Sequence, residues 1–293
     1  MIIVKLIGGL GNQMFQYAAG KALATKHGVP LKVDVRDLDK DSGGRYTQRR
    51  FELNVFKAPV SIASEQDLSD FAKGSESGWK RRLKQLFPNL FSHIVLNEHG
   101  SHYQKRFEKF PSNTYLNGYW QNEKYFLSIR STLLAEFIPV NPLPAELQPI
   151  LEKIKGVNAV SFHVRRGDYV SLASAREFHG VCDADYYQKA LAYIQEKEKQ
   201  VEVMVFSDDI AWCRQHIRTE VPVHYIEHQQ HAVWDLYLMS CCKHNVIANS
   251  SFSWWAAWLN SHSNNTVVAP AYWFAKTRSR DLGILPPHWH VIE

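Results

Sequence analysis

Two guanidiniums stand side by side in Ser161-Phe162-His163-Val164-Arg165-Arg166-Gly167-Asp168-Tyr169, at the end of an apolar run. An arginine at the end of a buried strand is costly unless its charge is met. Two answers are open: a structural pair between Arg166 and Asp168, or an anionic ligand. Arg is suited to a phosphate, because its planar fork binds two oxygens and does not lose its charge. In an extended segment His163, Arg165 and Gly167 point one way and Val164, Arg166 and Asp168 the other.

Further groups follow at the ends of later apolar runs. In Phe206-Ser207-Asp208-Asp209 one carboxylate suits the cap of a helix starting near Ile210, and the other is left for a ligand. Asn249-Ser250-Ser251-Phe252 puts three small polar residues where an apolar run turns into a helix, a place that suits a second anion. Near the start of the chain, Gly8-Gly9-Leu10-Gly11-Asn12-Gln13 lies between an apolar run and a helical pattern. Glycines there admit close backbone approach, and a helix start supplies free N–H groups. The spacing is neither a dinucleotide fingerprint, since Met14 stands where the third glycine belongs, nor a P-loop, since Ala22 follows Gly20-Lys21. The acidic groups Asp37/Asp39/Asp41 and Asp183/Asp185 read as a charged loop and a helix cap, and His224, His228 and His231 as a surface group; no metal site is expected.

These groups need a scaffold of parallel strands. Residues 2–7 and 30–35 read as strands about a helix that Gly28 stops, which is a βαβ opening. A strand and turn are expected at 114–120 and a helix at 122–137. Three prolines in 140–149 mark a linker. Strands are then expected at 157–163, 201–206, 222–226, 245–249 and 266–270, alternating with helices at 184–198, 209–218, 231–242 and 252–260. The fold class is α/β, with two Rossmann-like domains facing a cleft, at 1–150 and 151–293.

Composition agrees. The chain has 293 residues, 45% hydrophobic and 22% charged, which excludes disorder and disulfide mini-proteins. The net charge of +5 is compatible with an anionic ligand and is no nucleic-acid signature. Four cysteines with no Cys-x-x-Cys fit reduced thiols. The opening MIIVKLIGG reads as a strand, not a leader, so the expected location is cytoplasmic. The basic stretch 79–91, with Lys80, Arg81, Arg82 and Lys84, reads as an amphipathic helix on the domain; peripheral contact with the inner face of a bacterial membrane is the alternative.

GGLGNQMFQYAAGKALA at 8–24, GYWQNEKYF at 118–126, HVRRGDY at 163–169, FSDD at 206–209 and the Asn249–Trp255 turn resemble bacterial α-1,2-fucosyltransferases of glycosyltransferase family 11. Residues 38–112 match nothing in that pattern. The resemblance implies a GT-B architecture, an N-terminal domain shaping the acceptor site and a C-terminal domain binding GDP-fucose. It implies inverting transfer of fucose to the 2-hydroxyl of a terminal β-galactoside, without metal or cofactor, in cell-surface glycan or O-antigen synthesis. Donor contacts would come from Gly9, Gly11, Asn12, Gln13, His163, Arg165, Arg166, Asp208, Asp235, Asn249, Ser250, Ser251 and Phe252. Asp235 lies sixteen positions before Ser251, where related α-1,6 enzymes carry an Asp that reads guanine. Arg165 would stabilise the departing diphosphate. Asp168, Glu177 and His179 are the candidates for receiving the acceptor proton. Other fucosyl linkages (α-1,6 or protein O-fucosylation) and a non-catalytic glycan- or nucleotide-binding module are the competing readings.

Overall fold

The computed structural model describes residues 1–38, 49–72, 93–100, 102–167, 180–275 and 277–293. They divide into two compact units, Met1–Ile138 and Pro139–Glu293. The division falls before the proline-rich stretch, not at 150. Pro139 onward leads into a helix at Gln148–Gly156 that buries Leu151 and Ile154, so 140–149 is the entry to the second unit and not a free linker.

The first unit is built on β1 (Ile2–Lys5), α1 (Leu10–His27), β2 (Leu31–Asp34), α2 (Glu65–Ala72), β3 (Ile94–Asn97), β4 (Thr114–Asn117) and α3 (Arg130–Glu136). Its four strands are parallel in the order β2-β1-β4-β3. Gly28 ends α1 in the left-handed conformation (φ 61°), as its position predicts, and its N–H closes the last turn. Strand β3 lies in the stretch that sequence patterning leaves unassigned. The helix expected over 122–137 forms only from Arg130. Before it the Asn122 side chain accepts the Lys124 N–H, and two 3₁₀ turns follow, placing Tyr125, Phe126 and Ile129 in the core.

The second unit alternates α4 (Gln148–Gly156), β5 (Ala159–Val164), α5 (Ala184–Lys197), β6 (Glu202–Ser207), α6 (Ile210–His216), β7 (Val223–Ile226), α7 (Val233–Cys241), β8 (His244–Val246), α8 (Ser251–Leu259) and β9 (Val267–Pro270). A hairpin of β10 (Tyr272–Phe274) and β11 (Thr277–Arg278), the short α9 (Ser279–Leu282) and β12 (His290–Ile292) complete it. The sheet is parallel in the order β12-β9-β8-β5-β6-β7. All six residues of β5 are buried, as a strand covered on both faces requires. Its register against β8 is fixed by a buried polar chain: Asn245 Nδ2 donates to Ser161 Oγ at 2.8 Å, and Asn260 Nδ2 donates to Asn245 Oδ1 at 2.7 Å. Trp120, Trp254, Trp255, Trp258 and Trp289 are core residues, so packing accounts for these indoles.

Candidate active site

Strand order directs attention to one place. The chain leaves β5 toward β6 on one side, while β8 lies on the other, so the order reverses between β5 and β8. Ligands of open α/β sheets bind outside the carboxyl ends of strands at such a reversal. Arg165 follows β5 there, and Asn249-Ser250 follow β8.

His163, near the end of β5, is buried. Its carbonyl accepts the Tyr187 hydroxyl at 2.8 Å, and its ring lies 5.7 Å from that of Phe252 in the first turn of α8. Its Nδ1 has no hydrogen-bond partner among the described residues. Burial, and secondarily the charge of Arg165, push its pKa down to about 3, so the ring is neutral at physiological pH.

The two arginines diverge, as strand alternation predicts. Arg165 Nη1 lies 2.7 Å from Asp208 Oδ2, just past the end of β6. The other Asp208 oxygen accepts the Arg166 backbone N–H at 2.8 Å, so one carboxylate ties the segment after β5 to the segment after β6. Gly167 completes the fit, since a Cβ there would come within 2.7 Å of Asp208 Oδ2. Arg166 turns to Asp209, with Nε 3.2 Å from Oδ2, and lies 4.0 Å over the Trp212 ring. Asp209 is also the cap of α6, accepting the Trp212 N–H at 3.0 Å. Among the described residues, Arg166 pairs with Asp209, forty-three residues away. Asp168 lies outside the described residues, as do Glu177, His179 and the basic stretch 79–91.

After β8, Ser250 caps α8 by accepting the Phe252 N–H at 3.3 Å, and Ser251 opens the helix. Asn249 is buried, and its amide donates to the Trp273 carbonyl at 3.1 Å and faces Cys182 Sγ at 3.9 Å. Its side chain thereby braces the turn after β8. Asp235 stands in the first turn of α7, and His228 Nε2 lies 2.8 Å from its Oδ1. The His228 side chain is buried, correcting its reading as a surface histidine: the return of the chain from β7 into α7 sets the ring against the carboxylate. No sequence spacing marks that pair. Asp183 caps α5, accepting the Tyr186 N–H at 2.9 Å. No group of three or more His, Cys, Asp or Glu suited to holding a metal ion occurs among the described residues.

In the first unit the Gly8–Gln13 turn sits at the carboxyl end of β1. Gly8 takes φ 77°, and Gly9 precedes the first turn of α1. Gln13 is fully buried. Its Nε2 donates to the carbonyls of Gly8 (3.0 Å) and Arg50 (2.7 Å), and its Oε1 accepts the Glu52 N–H at 3.0 Å. With these bonds made inside, Gln13 holds the turn. Asn12 Oδ1 accepts Gln121 Nε2 at 2.8 Å, joining the turn after β1 to the segment after β4, its neighbour in the sheet. That segment is itself fixed by Glu98, whose Oε2 accepts the N–H groups of Tyr119 (2.6 Å) and Trp120 (3.0 Å). Trp120 adopts φ 56°, an uncommon conformation for a bulky residue.

The chain matches known proteins along its length. It is 33% identical over 300 residues to an alpha-1,2-colitosyltransferase of Escherichia coli, covering 100% of this chain and 99% of that protein. It is 35% identical to the O-antigen biosynthesis glycosyltransferase WbnK of E. coli (92% and 94% covered) and 29% identical to the galactoside 2-alpha-L-fucosyltransferase Sec1 of Mus musculus (88% and 64% covered). Among solved structures it is similar to a mutant of Arabidopsis thaliana FUT1 in complex with GDP, with a TM-score of 0.51 at 13% identity, over 91% of this chain and 69% of that one. That likeness concerns the fold, which is of the GT-B class. The family model described as glycosyl transferase family 11 matches residues 81–293. On the match of this family model and the identity to these relatives, the chain belongs to glycosyl transferase family 11 and is a glycosyltransferase of the fucosyltransferase type.

Proposed function

We propose that the protein transfers L-fucose from GDP-fucose to the 2-hydroxyl of a terminal β-galactoside, with inversion at the anomeric carbon and without a metal ion. One observation carries the reading: the Arg165 guanidinium, held by Asp208, at the sheet reversal between β5 and β8. In the reaction the acceptor oxygen bonds to fucose C1 as the bond from C1 to the β-phosphate oxygen breaks. The electron pair leaves with GDP, and the acceptor proton passes to a base. Extra negative charge thus appears on the diphosphate, where a fixed guanidinium stabilises it. The helix start at Ser250-Ser251 adds N–H groups on the other side of the reversal. Asp235 supplies carboxylate oxygens to the guanine N1–H and N2–H₂. The proton acceptor belongs to Asp168, Glu177 or His179. The first unit shapes the acceptor site, and the work is done in the cytoplasm; no helix among the described residues is long and apolar enough to cross a membrane.

The relatives' names support the linkage. A colitosyltransferase and a galactoside fucosyltransferase differ in the sugar named, but both names specify an α bond to position 2. The 33% identity to the former over the whole chain also favours a second reading, with GDP-colitose as donor. Colitose is fucose without its 3-hydroxyl, so a site that hydrogen-bonds that hydroxyl rejects it. The test is to incubate the purified protein with GDP-fucose or GDP-colitose and a panel of β-galactosides, with and without EDTA, and to read the product linkage by NMR. Fucose on O2, unaffected by EDTA, is the expected product. Preference for colitose selects the second reading, another linkage overturns the acceptor assignment, and activity abolished by EDTA and restored by Mn²⁺ overturns metal independence.

A further inference from the structure

The loop from β7 into α7 is folded by its own histidines. His228 Nδ1 accepts the Gln230 backbone N–H at 3.1 Å, and His231 Nδ1 accepts the Val233 N–H at 3.1 Å. A ring nitrogen that accepts from a backbone N–H carries no proton. The neutral His228 ring is therefore protonated on Nε2, the atom 2.8 Å from Asp235 Oδ1. The direction of the bond is thus fixed by the loop: the imidazole donates and the carboxylate accepts. The His228 side chain is 6% exposed and that of Asp235 31%, so the ring lies behind a carboxylate that faces outward.

We propose that His228 is a positioning residue for donor recognition, holding the Asp235 carboxylate in the orientation in which it accepts from the guanine base of a nucleotide sugar. This rests on the reading of Asp235 as the guanine acceptor. The geometry leaves room for both partners. A carboxylate offers about four lone-pair sites and His228 uses one, so each oxygen can still take an N–H from the base. Partial burial drives the Asp235 carboxyl toward its protonated form, and His228 opposes this. Without the imidazole, Asp235 would be free to rotate or to hold a proton, and a protonated carboxyl loses an acceptor. The loop is short and self-bonded, so the support is built before any nucleotide arrives, as preorganised recognition requires.

The test is calorimetric binding of GDP and of inosine diphosphate, which lacks the N2 amine, to the full chain. The wild-type protein should bind GDP at least about tenfold more tightly than inosine diphosphate. His228→Leu should weaken GDP by roughly tenfold, bringing it near inosine diphosphate, and raise the donor KM while leaving kcat at saturation within about twofold. His228→Gln, whose amide N–H can replace Nε2–H, should recover most of the selectivity. It also serves as the decisive variant if the leucine protein does not fold. His228→Leu with wild-type GDP affinity and selectivity overturns the proposal, as does an equal loss for both nucleotides. A wild-type protein that binds the two nucleotides equally overturns instead the reading of Asp235 on which the proposal rests, whatever the variants do.

Discussion

Arg165 and Asp208 hold each other 2.7 Å apart across the carboxyl ends of two adjacent strands, β5 and β6. The pair does two things. It meets the charge of a guanidinium at a buried strand end, and it fixes that guanidinium's direction before a diphosphate is met. Asp208 also accepts the Arg166 N–H, so its carboxylate orders the backbone that carries Arg165.

Removing the guanidinium should be severe for turnover and mild for the fold. Arg165→Ala is expected to lower kcat by about 10²–10³ or more, with a thermal midpoint within a few degrees of wild type. Arg165→Lys should recover little, because an ammonium lacks the planar fork. Steady-state kinetics beside a melting curve would check this. An alanine variant with a tenth of the wild-type rate would show that the charge on GDP is stabilised elsewhere.

Gly167→Ala tests the pair from the other side. The added methyl would sit 2.7 Å from Asp208 Oδ2, the far end of a movable side chain. The carboxylate should give way, so the fold survives while kcat/KM falls by roughly tenfold. Introduced into an Asp208→Ala background, the same methyl should have almost no further effect. Equal losses in both backgrounds would locate the damage in the backbone instead.

Acid should destabilise the second unit through its buried histidines. Burial, followed by the charge of Arg165, takes His163 down to about 3, and burial, followed by Lys243, takes His244 down to about 4. Both folded values lie below the unfolded value of about 6.5. Their contribution is therefore present above pH 6.5 and is lost as pH falls toward 4, because only the unfolded chain gains the protons. Each histidine should cost roughly 1 kcal/mol per pH unit in that window. Denaturant titrations at pH 7 and pH 5 should show the fall, and His163→Gln should shallow it. An identical slope in that variant would rule His163 out as a source.

Gln13 should matter for stability in the first unit. Gln13→Ala strips the Gly8 and Arg50 carbonyls and the Glu52 N–H of their partner. Buried groups left in this way cost about 1–3 kcal/mol each, less whatever water recovers, so a loss of roughly 3 kcal/mol is expected in chemical unfolding. A loss below about 1 kcal/mol, with GDP binding weakened instead, would return Gln13 to the donor contacts.

Much of this protein was decided locally and could be read from the chain. Strands and helices from 157 to 270 fall within a few residues of their patterns, because apolar periodicity and caps such as Asp183 and Asp209 act over a few positions. The motif blocks were equally visible, and with them the family. Partnership was not. Arg166 chooses Asp209 and Trp212, and Arg165 chooses Asp208, because β6 is the neighbour of β5, and a local pattern carries no strand order. Asn12 meets Gln121 across 109 residues for the same reason, β4 lying beside β1. His228 and Asp235 are only seven residues apart, yet their bond depends on the turn of the chain between β7 and α7. Residue types and spacing set what chemistry was available, while the three-dimensional packing of parallel strands decided which charges meet and which face outward.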